Sequence, residues 1–431
     1  MSEIGLRIKE LRKKNGLTQL ELSNGIISRS YLSQIEKGNV LPTAETVRRL
    51  AQKLNCAEEE LYKTPNTNMQ KLNEIKKSIY LLESHLETDA IDFAIEKLKS
   101  VDIFVEGINE SDKGTYFWAK AKIEEYLGNQ IETRKFYLES LRHYNNTSLT
   151  EKKIRTLNDL GSHYINSEEF EEGFNVLNKA YREIIYSHIN GVLKINNLYL
   201  LALNHTKIGE VFSAILFLEE AKRHSEQLSI FYKYGNISLL LAVCYKEISK
   251  WHDAVIENEK ALNYFKLRED KDQIATIYYN IGILYYEIKN WDASEEFLER
   301  ARKLFLELGH EKGMHMVDLA LLKLYRSTRE LTIIKDFADN IIENKPINFQ
   351  ISIYLILGEV FYTNKKLRES YKYYERALAL FDDEEVTTEV ISGCKQMIKV
   401  CFEMKKYSEA ETYYQILDKL DHKKKKMDIL L

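Results

Sequence analysis

From residue 82 onward a small or apolar residue returns about every 40 positions, at Leu82, Ala121, Gly161, Ala202, Ala242, Gly282, Ala320, Gly358 and Ile398. The clearest copies carry the same companions. Gly161 is followed by Gly173, Leu177 and Ala180, and Ala242 by Tyr245, Ala254 and Ala261. Gly282 is followed by Tyr285, Ser294, Leu298 and Ala301, and Gly358 by Phe361, Ser370, Tyr374 and Ala377. Small residues at the anchor and 12 positions later let two helices approach closely. A single helical hairpin cannot bury its own apolar stripe, so such units must stack. The spacing predicts nine helical hairpins in a right-handed superhelix with a concave inner face. The copy at Ala320 is the poorest, because Thr332, Asp336 and Asp339 occupy its later positions, and an irregular unit is expected there.

Composition supports an all-α chain: 44% of 431 residues are hydrophobic, ample for a large core, and only Pro42, Pro65 and Pro346 interrupt the helical pattern. Cys56, Cys244, Cys394 and Cys401 form no C-x-x-C or zinc-ligand spacing and read as thiols of a reducing, cytoplasmic setting. No run of about 18 uncharged apolar residues is present, which argues against a membrane role. No P-loop, G-x-S-x-G, H-E-x-x-H or Cys/His cluster occurs. No catalytic residue, metal or cofactor is therefore expected, and the chain does not read as an enzyme.

The first 63 residues differ in character from the repeats. Residues 17–38 read as two short helices joined by a tight turn, with Thr18 and Ser28 as caps and Leu20, Leu22, Ile26, Leu32 and Ile35 facing inward. Further helices are expected at about Ile4–Lys14, Thr43–Leu54 and Glu58–Tyr62, giving five. Leu17-Thr18-Gln19, the run from Ser28 to Gly38, and Pro42-Thr43 resemble the lambda-repressor-like, Xre-type helix-turn-helix family. The interval between Thr18-Gln19 and Ser28 is one residue shorter than is usual there, as in peptide-sensing regulators of the PlcR and NprR type.

The second helix of the pair offers Arg29, Ser30 and Gln34 to base edges, Arg29 and Gln34 being able to make bidentate contacts. Ser28 and Tyr31 belong to the same candidate face, and Gln19, Lys37 and Asn39 are placed to meet phosphates. Residues 1–64 hold 11 Lys and Arg against 8 Asp and Glu, a surplus of only three in a chain whose net charge is −4. So small a surplus holds a duplex poorly, which predicts a homodimer or higher oligomer on a two-part, palindromic site of double-stranded DNA.

The domain boundaries expected are 1–63 for the head, 64–70 for a linker, 71–420 for the repeats and 421–431 for a basic tail. The repeat signature resembles tetratricopeptide repeats, although its period exceeds their usual ~34 residues. Together with the shortened head it resembles the Rap, Rgg, NprR, PlcR and PrgX group of peptide-responsive regulators. That resemblance implies a quorum-sensing transcriptional regulator that holds a short imported signalling peptide in the concave face, the peptide altering oligomeric state or DNA affinity. Helix geometry places positions six and three before each anchor, and one and four after it, on that face. The candidates are Lys122, Arg155, Asn158, Asn196, Tyr199, Asn236 and Tyr279: asparagines to clamp a peptide main chain, tyrosines for apolar pockets, cations for a carboxylate. A second reading, also implied by the group, is a grip on a response-regulator protein by the hairpins nearest the linker.

Overall fold

The computed structural model describes residues 3–62, 66–88, 90–101, 108–343, 345–381 and 388–430. They are helical, and no strand occurs among them. The chain divides into two compact units, residues 1–193 and 194–431.

The first unit begins with five short helices: α1 (Glu3–Lys14), α2 (Gln19–Ser23), α3 (Arg29–Glu36), α4 (Ala44–Lys53) and α5 (Glu58–Tyr62). Their starts are set by side-chain caps. The Glu21 amide donates to Thr18 Oγ1 while the Thr18 amide donates to the Glu21 carboxylate; at α3 and α4 the Ser28 and Thr43 hydroxyls accept the Tyr31 and Thr46 amides, without the return bond. Ile8, Leu22, Leu32, Ile35, Val47, Leu50 and Leu61 close the core. Leu20, expected inside, is 64% exposed. At 100° per residue Leu20 and Leu22 lie on opposite sides of α2, so a five-residue helix can bury only one of them.

The first unit continues with α6 (Asn66–Glu87), α7 (Ile91–Val101), α8 (Glu110–Tyr126), α9 (Gln130–Tyr144), α10 (Thr150–Asn166) and α11 (Phe170–Tyr186). The segment 64–70 was expected to be a linker, yet α6 starts at Asn66. Asn and Thr open helices as readily as they fill linkers, so composition could not separate the two. Thr64 and Pro65 lie outside the described residues.

The second unit holds α12 (Val192–Lys207), whose first turn meets the unit boundary, α13 (Val211–Leu228), α14 (Tyr234–Glu247), α15 (Trp251–Leu267), α16 (Lys271–Glu287) and α17 (Trp291–Glu307). It ends with α18 (Glu311–Thr328), α19 (Leu331–Ile342), α20 (Ile347–Thr363), α21 (Leu367–Ala379), α22 (Thr388–Glu403) and α23 (Tyr407–Leu430). Among the described residues α6 to α23 form nine consecutive hairpins. The basic run from His422 to Lys426 continues α23 rather than leaving it, and Leu431 lies outside the described residues.

The anchors work as the small residues suggest. A methyl group on Gly161 would lie 2.5 Å from the Leu177 side chain, and one on Gly282 or Gly358 would meet Leu298 or Tyr374 at 2.7 and 2.8 Å. The Ser294 and Ser370 hydroxyls donate to the Gly282 and Gly358 carbonyls at 2.9 and 2.8 Å, closing the same contact from the returning helix. Ile398, too large for this role, is only partly buried, and Met397 takes the inward place. Seven residues after the anchor the chain turns through the left-handed region, at Gly128, Glu168, Gly209, Ser249, Lys289, Lys365 and Lys405. The Ala320 unit has no such residue: α18 runs on to Thr328, and Arg329 leaves it extended. In α19 the buried positions move to Ile334, Ala338 and Ile341, which makes this the irregular unit the sequence predicted.

Candidate functional site

The helix α3 presents Arg29, Ser30 and Gln34 to solvent, with Lys37 and Asn39 exposed just beyond its end. Its opposite face carries Leu32 and Ile35 into the core. Behind it, Arg12 on α1 donates from Nε and Nη2 to the two carboxylate oxygens of Glu36, at 2.6 and 3.0 Å, and from Nη1 to the Leu17 carbonyl at 2.7 Å. Both side chains are buried, so this pair fixes the roll of α3 against α1. Gln19 Nε2 donates to Glu36 Oε2 at 2.7 Å. Its amide is therefore engaged inside the head, and Gln19 supports α3 instead of extending to a phosphate as expected.

Two other members of the candidate face have structural duties. Ser28 Oγ accepts the Tyr31 amide, and the Tyr31 ring packs partly buried against the head's core. Asn39 Nδ2 donates to Gln34 Oε1 at 2.7 Å, which holds Gln34 with its own NH2 group free to point outward. Arg49 and Lys53 on α4 donate to the Gly25 and Asn24 carbonyls and pin the turn between α2 and α3. Gly25 sits at φ +75°, a conformation that costs other residues about 1 kcal/mol or more.

In the rest of the first unit, the inner-face positions are tied to the protein itself. The Arg155 guanidinium lies over the Trp118 ring, 3.8 Å from its centroid, and pairs with Glu83 and Glu87 at 2.7 and 2.6 Å. Lys152 bonds both Glu83 and Thr115, and Trp118 Nε1 donates to Asp159 at 2.7 Å. Burial alone would raise the Glu83 carboxyl, but Lys152 and Arg155 together hold it below its ordinary value. Asn158 is fully buried and donates to the Leu193 carbonyl, while Lys122 pairs with Glu125 at 3.4 Å. Arg155, Asn158 and Lys122 are thus structural here and do not offer the open contacts expected of them. Arg155 is satisfied across helices by Glu83 and Glu87 of α6, Lys122 within α8 by Glu125, and Asn158 by the main chain at Leu193.

The second unit keeps more of its inner face open. Asn196 Oδ1 accepts from Lys233 Nζ at 2.9 Å, and the same ammonium lies 4.9 Å from the Tyr199 ring centroid. Asn236 is half-buried and has no hydrogen-bond partner among the described residues. Tyr279 lines a cleft between α14 and α16 with Leu239, Val243, Lys246, Asn258 and Ile283. Burial pushes the Tyr199 and Tyr279 hydroxyls upward. A second cleft, of about 230 Å³, lies among α18, α20 and α22 and is lined by Lys323, Arg326, Ser352, Leu355, Glu359 and Gln396.

Lys323, Arg326 and Asn258 were not singled out from the sequence. In the Ala320 unit the offsets counted from Ala320 give Val317 and Leu321, which are core residues; α16 and α18 start 40 residues apart, and counting from Leu322, 40 after Gly282, gives Leu319, Lys323 and Arg326, which line the second cleft. Asn258 lies on a returning helix, and aligning it with Leu177, Leu298 and Tyr374 would have marked it as the one polar residue at that offset among those four. Among the described residues no cluster of three or more His, Cys, Asp or Glu could hold a metal ion, and no helix is long and apolar enough to cross a membrane.

Residues 8–61 match the helix-turn-helix family and residues 233–307 the tetratricopeptide repeat family. The chain therefore carries both modules. It is 22% identical over 263 residues to the transcriptional activator NprA of Geobacillus stearothermophilus, covering 61% of this chain and 63% of NprA. A 54-residue stretch is 41% identical to the ImmF control region 10 kDa protein of Bacillus phage phi105, covering 12% of this chain and 60% of that protein. The matches thus span less than two thirds of either relative. The apo form of the quorum sensor NprR from B. thuringiensis shares the fold, with a TM-score of 0.58 at 14% identity over 82% of this chain and 99% of that one. The likeness to NprR is one of fold.

Proposed function

We propose that this chain is a cytoplasmic DNA-binding transcriptional regulator that answers to a short signalling peptide held by its repeat hairpins. The observation that carries the DNA reading is the exposed face of α3, with Arg29, Ser30 and Gln34, backed by the buried pair of Arg12 and Glu36. Side chains of that length and chemistry, on a helix held rigidly from behind, suit direct readout in a major groove. Support for regulation comes from the relatives: NprA is described as a transcriptional activator and NprR as a quorum sensor. The open polar and aromatic positions Asn236 and Tyr279 and the two clefts of the second unit support the peptide reading. With so few surplus cations in the head, two copies bind one two-part site. The peptide shifts the balance between arrangements of the repeat hairpins, and with it the spacing of the two heads.

The test is capture of genomic fragments by the purified protein at one stated salt concentration, with and without an extract of spent culture medium. A short palindromic site whose occupancy changes with the extract is the expected result. Absence of any enriched site in both conditions would overturn the DNA reading, and identical occupancy in both would overturn peptide control.

A further inference from the structure

In two places a lysine nine residues before its anchor reaches back to the residue six before the anchor of the preceding hairpin. Lys152 of the third hairpin does so in the first unit, its Nζ donating to Thr115 Oγ1 at 3.1 Å, and the Glu83 carboxylate takes the same ammonium at 2.8 Å. Lys233 of the fifth hairpin does so in the second unit, donating to Asn196 Oδ1 at 2.9 Å. Its ammonium also meets two ring faces, with the Tyr199 centroid 4.9 Å away and that of Tyr232 5.6 Å away. Neither kind of contact carries an opposing formal charge, so each yields an ammonium more readily than a carboxylate does.

The backbone works in the same direction. Lys233 sits at φ +52° and Ser229 at φ +53°, so both ends of the connection between α13 and α14 lie in the left-handed region that a side chain resists. Phe231 and Tyr232 between them are exposed. A connection strained at both ends is thus tied to α12 by the Lys233 side chain. Asn196 and Tyr199 are inner-face positions at which ligand contacts are expected, and in this structure Lys233 engages both. Building on the peptide-receptor reading, we propose that Lys233 is an internal occupant of the place formed by Asn196 and Tyr199, a latch that the ligand must displace. Ligand and latch exclude one another. When the ammonium lifts away, the connection it belongs to is released with it, because Lys233 is also the residue that leads into α14. The latch lowers the apparent affinity of every ligand by the fraction of time it is closed, and so rejects those that bind weakly.

The experiment uses the full-length protein and a heptapeptide, the tightest binder that wild type selects from a synthetic random library. Lys233→Gly removes the ammonium and suits the left-handed backbone, so it should melt no lower than wild type. It should bind the heptapeptide about fivefold more tightly or better. Lys233→Arg, which keeps a cation on the same stem, should bind it no more tightly than wild type does. A second measurement needs no variant. Acetylation of wild type by acetic anhydride, read by mass spectrometry, should modify Lys233 faster when the heptapeptide is saturating than when it is absent. If Lys233→Gly binds no more tightly, or if the heptapeptide leaves Lys233 acetylation unchanged or slows it, the latch is overturned and the peptide reading stands. Selection of a peptide by Lys233→Gly alone would support both. If neither protein selects any peptide, the peptide reading falls and takes the latch with it.

Discussion

Glu36 receives the Arg12 guanidinium through both carboxylate oxygens, at 2.6 and 3.0 Å, and the pair is buried between α1 and α3. Removing one partner leaves an uncompensated charge in the head's core. Glu36→Leu alone should therefore destabilise the head by roughly 3–5 kcal/mol, while Arg12→Met with Glu36→Leu should recover most of the loss. Thermal melting followed by helical circular dichroism checks this. A double variant as unstable as the single one would show that the pair does more than cancel its own charge.

Asn39 steadies Gln34 from outside the helix, its Nδ2 on Gln34 Oε1 at 2.7 Å. Gln34→Ala should cost about 1–3 kcal/mol at one base pair and relax preference there. Asn39→Ala should leave the fold intact and weaken the same preference less, by freeing the Gln34 side chain to rotate. Lys37→Ala should weaken binding to all sequences alike and lower the salt slope by about one for each bound copy. Competition binding on single-substituted duplexes at several salt concentrations separates these patterns.

The network around Glu83 ties stability of the first unit to pH. Its carboxyl is held below the ordinary value by Lys152 and Arg155, so the folded state binds the proton less readily than the unfolded one. The contribution is complete above the unfolded carboxylate value of about 4.3 and is lost as pH falls through the lower folded value. Glu83→Gln should be less stable than wild type at pH 7 and should lose less on acidification below about pH 4.5. Parallel melting curves at every pH for the two proteins would contradict this.

The anchor glycines are places where helices touch. A methyl group on Gly161 would come within 2.5 Å of Leu177, a buried side chain with little room to move. Gly161→Ala should cost about 1–3 kcal/mol through overpacking. Leu177→Ala added to it should show coupling, because the clash is then relieved. A double-mutant cycle by chemical denaturation measures that term, and strict additivity would contradict the contact.

The repeats were legible because a small residue every 40 or so positions leaves few ways to bury the flanking stripes, and the head because Thr18, Ser28 and Thr43 mark three helix starts by their caps. What the sequence concealed lies in tertiary pairing. Nothing local to Arg155 announces that Glu83 and Glu87, some 70 residues away, will take its charge, or that Glu36 will take the Gln19 amide. Leu20 was misplaced because apolar character alone does not choose between opposite faces of a short helix. Lys323 and Arg326 were missed because the anchor was set at Ala320, two residues before the position 40 after Gly282, which shifts every offset in that helix.

The most direct test of the account is selection from random duplexes by the purified full-length protein, run beside Arg29→Ala and Gln34→Ala at one fixed salt concentration. The account predicts a two-part site in which each variant loses preference at a single base pair of each half while the remaining positions are kept. Enrichment of the same sequences by all three proteins, or of none by wild type, would contradict it.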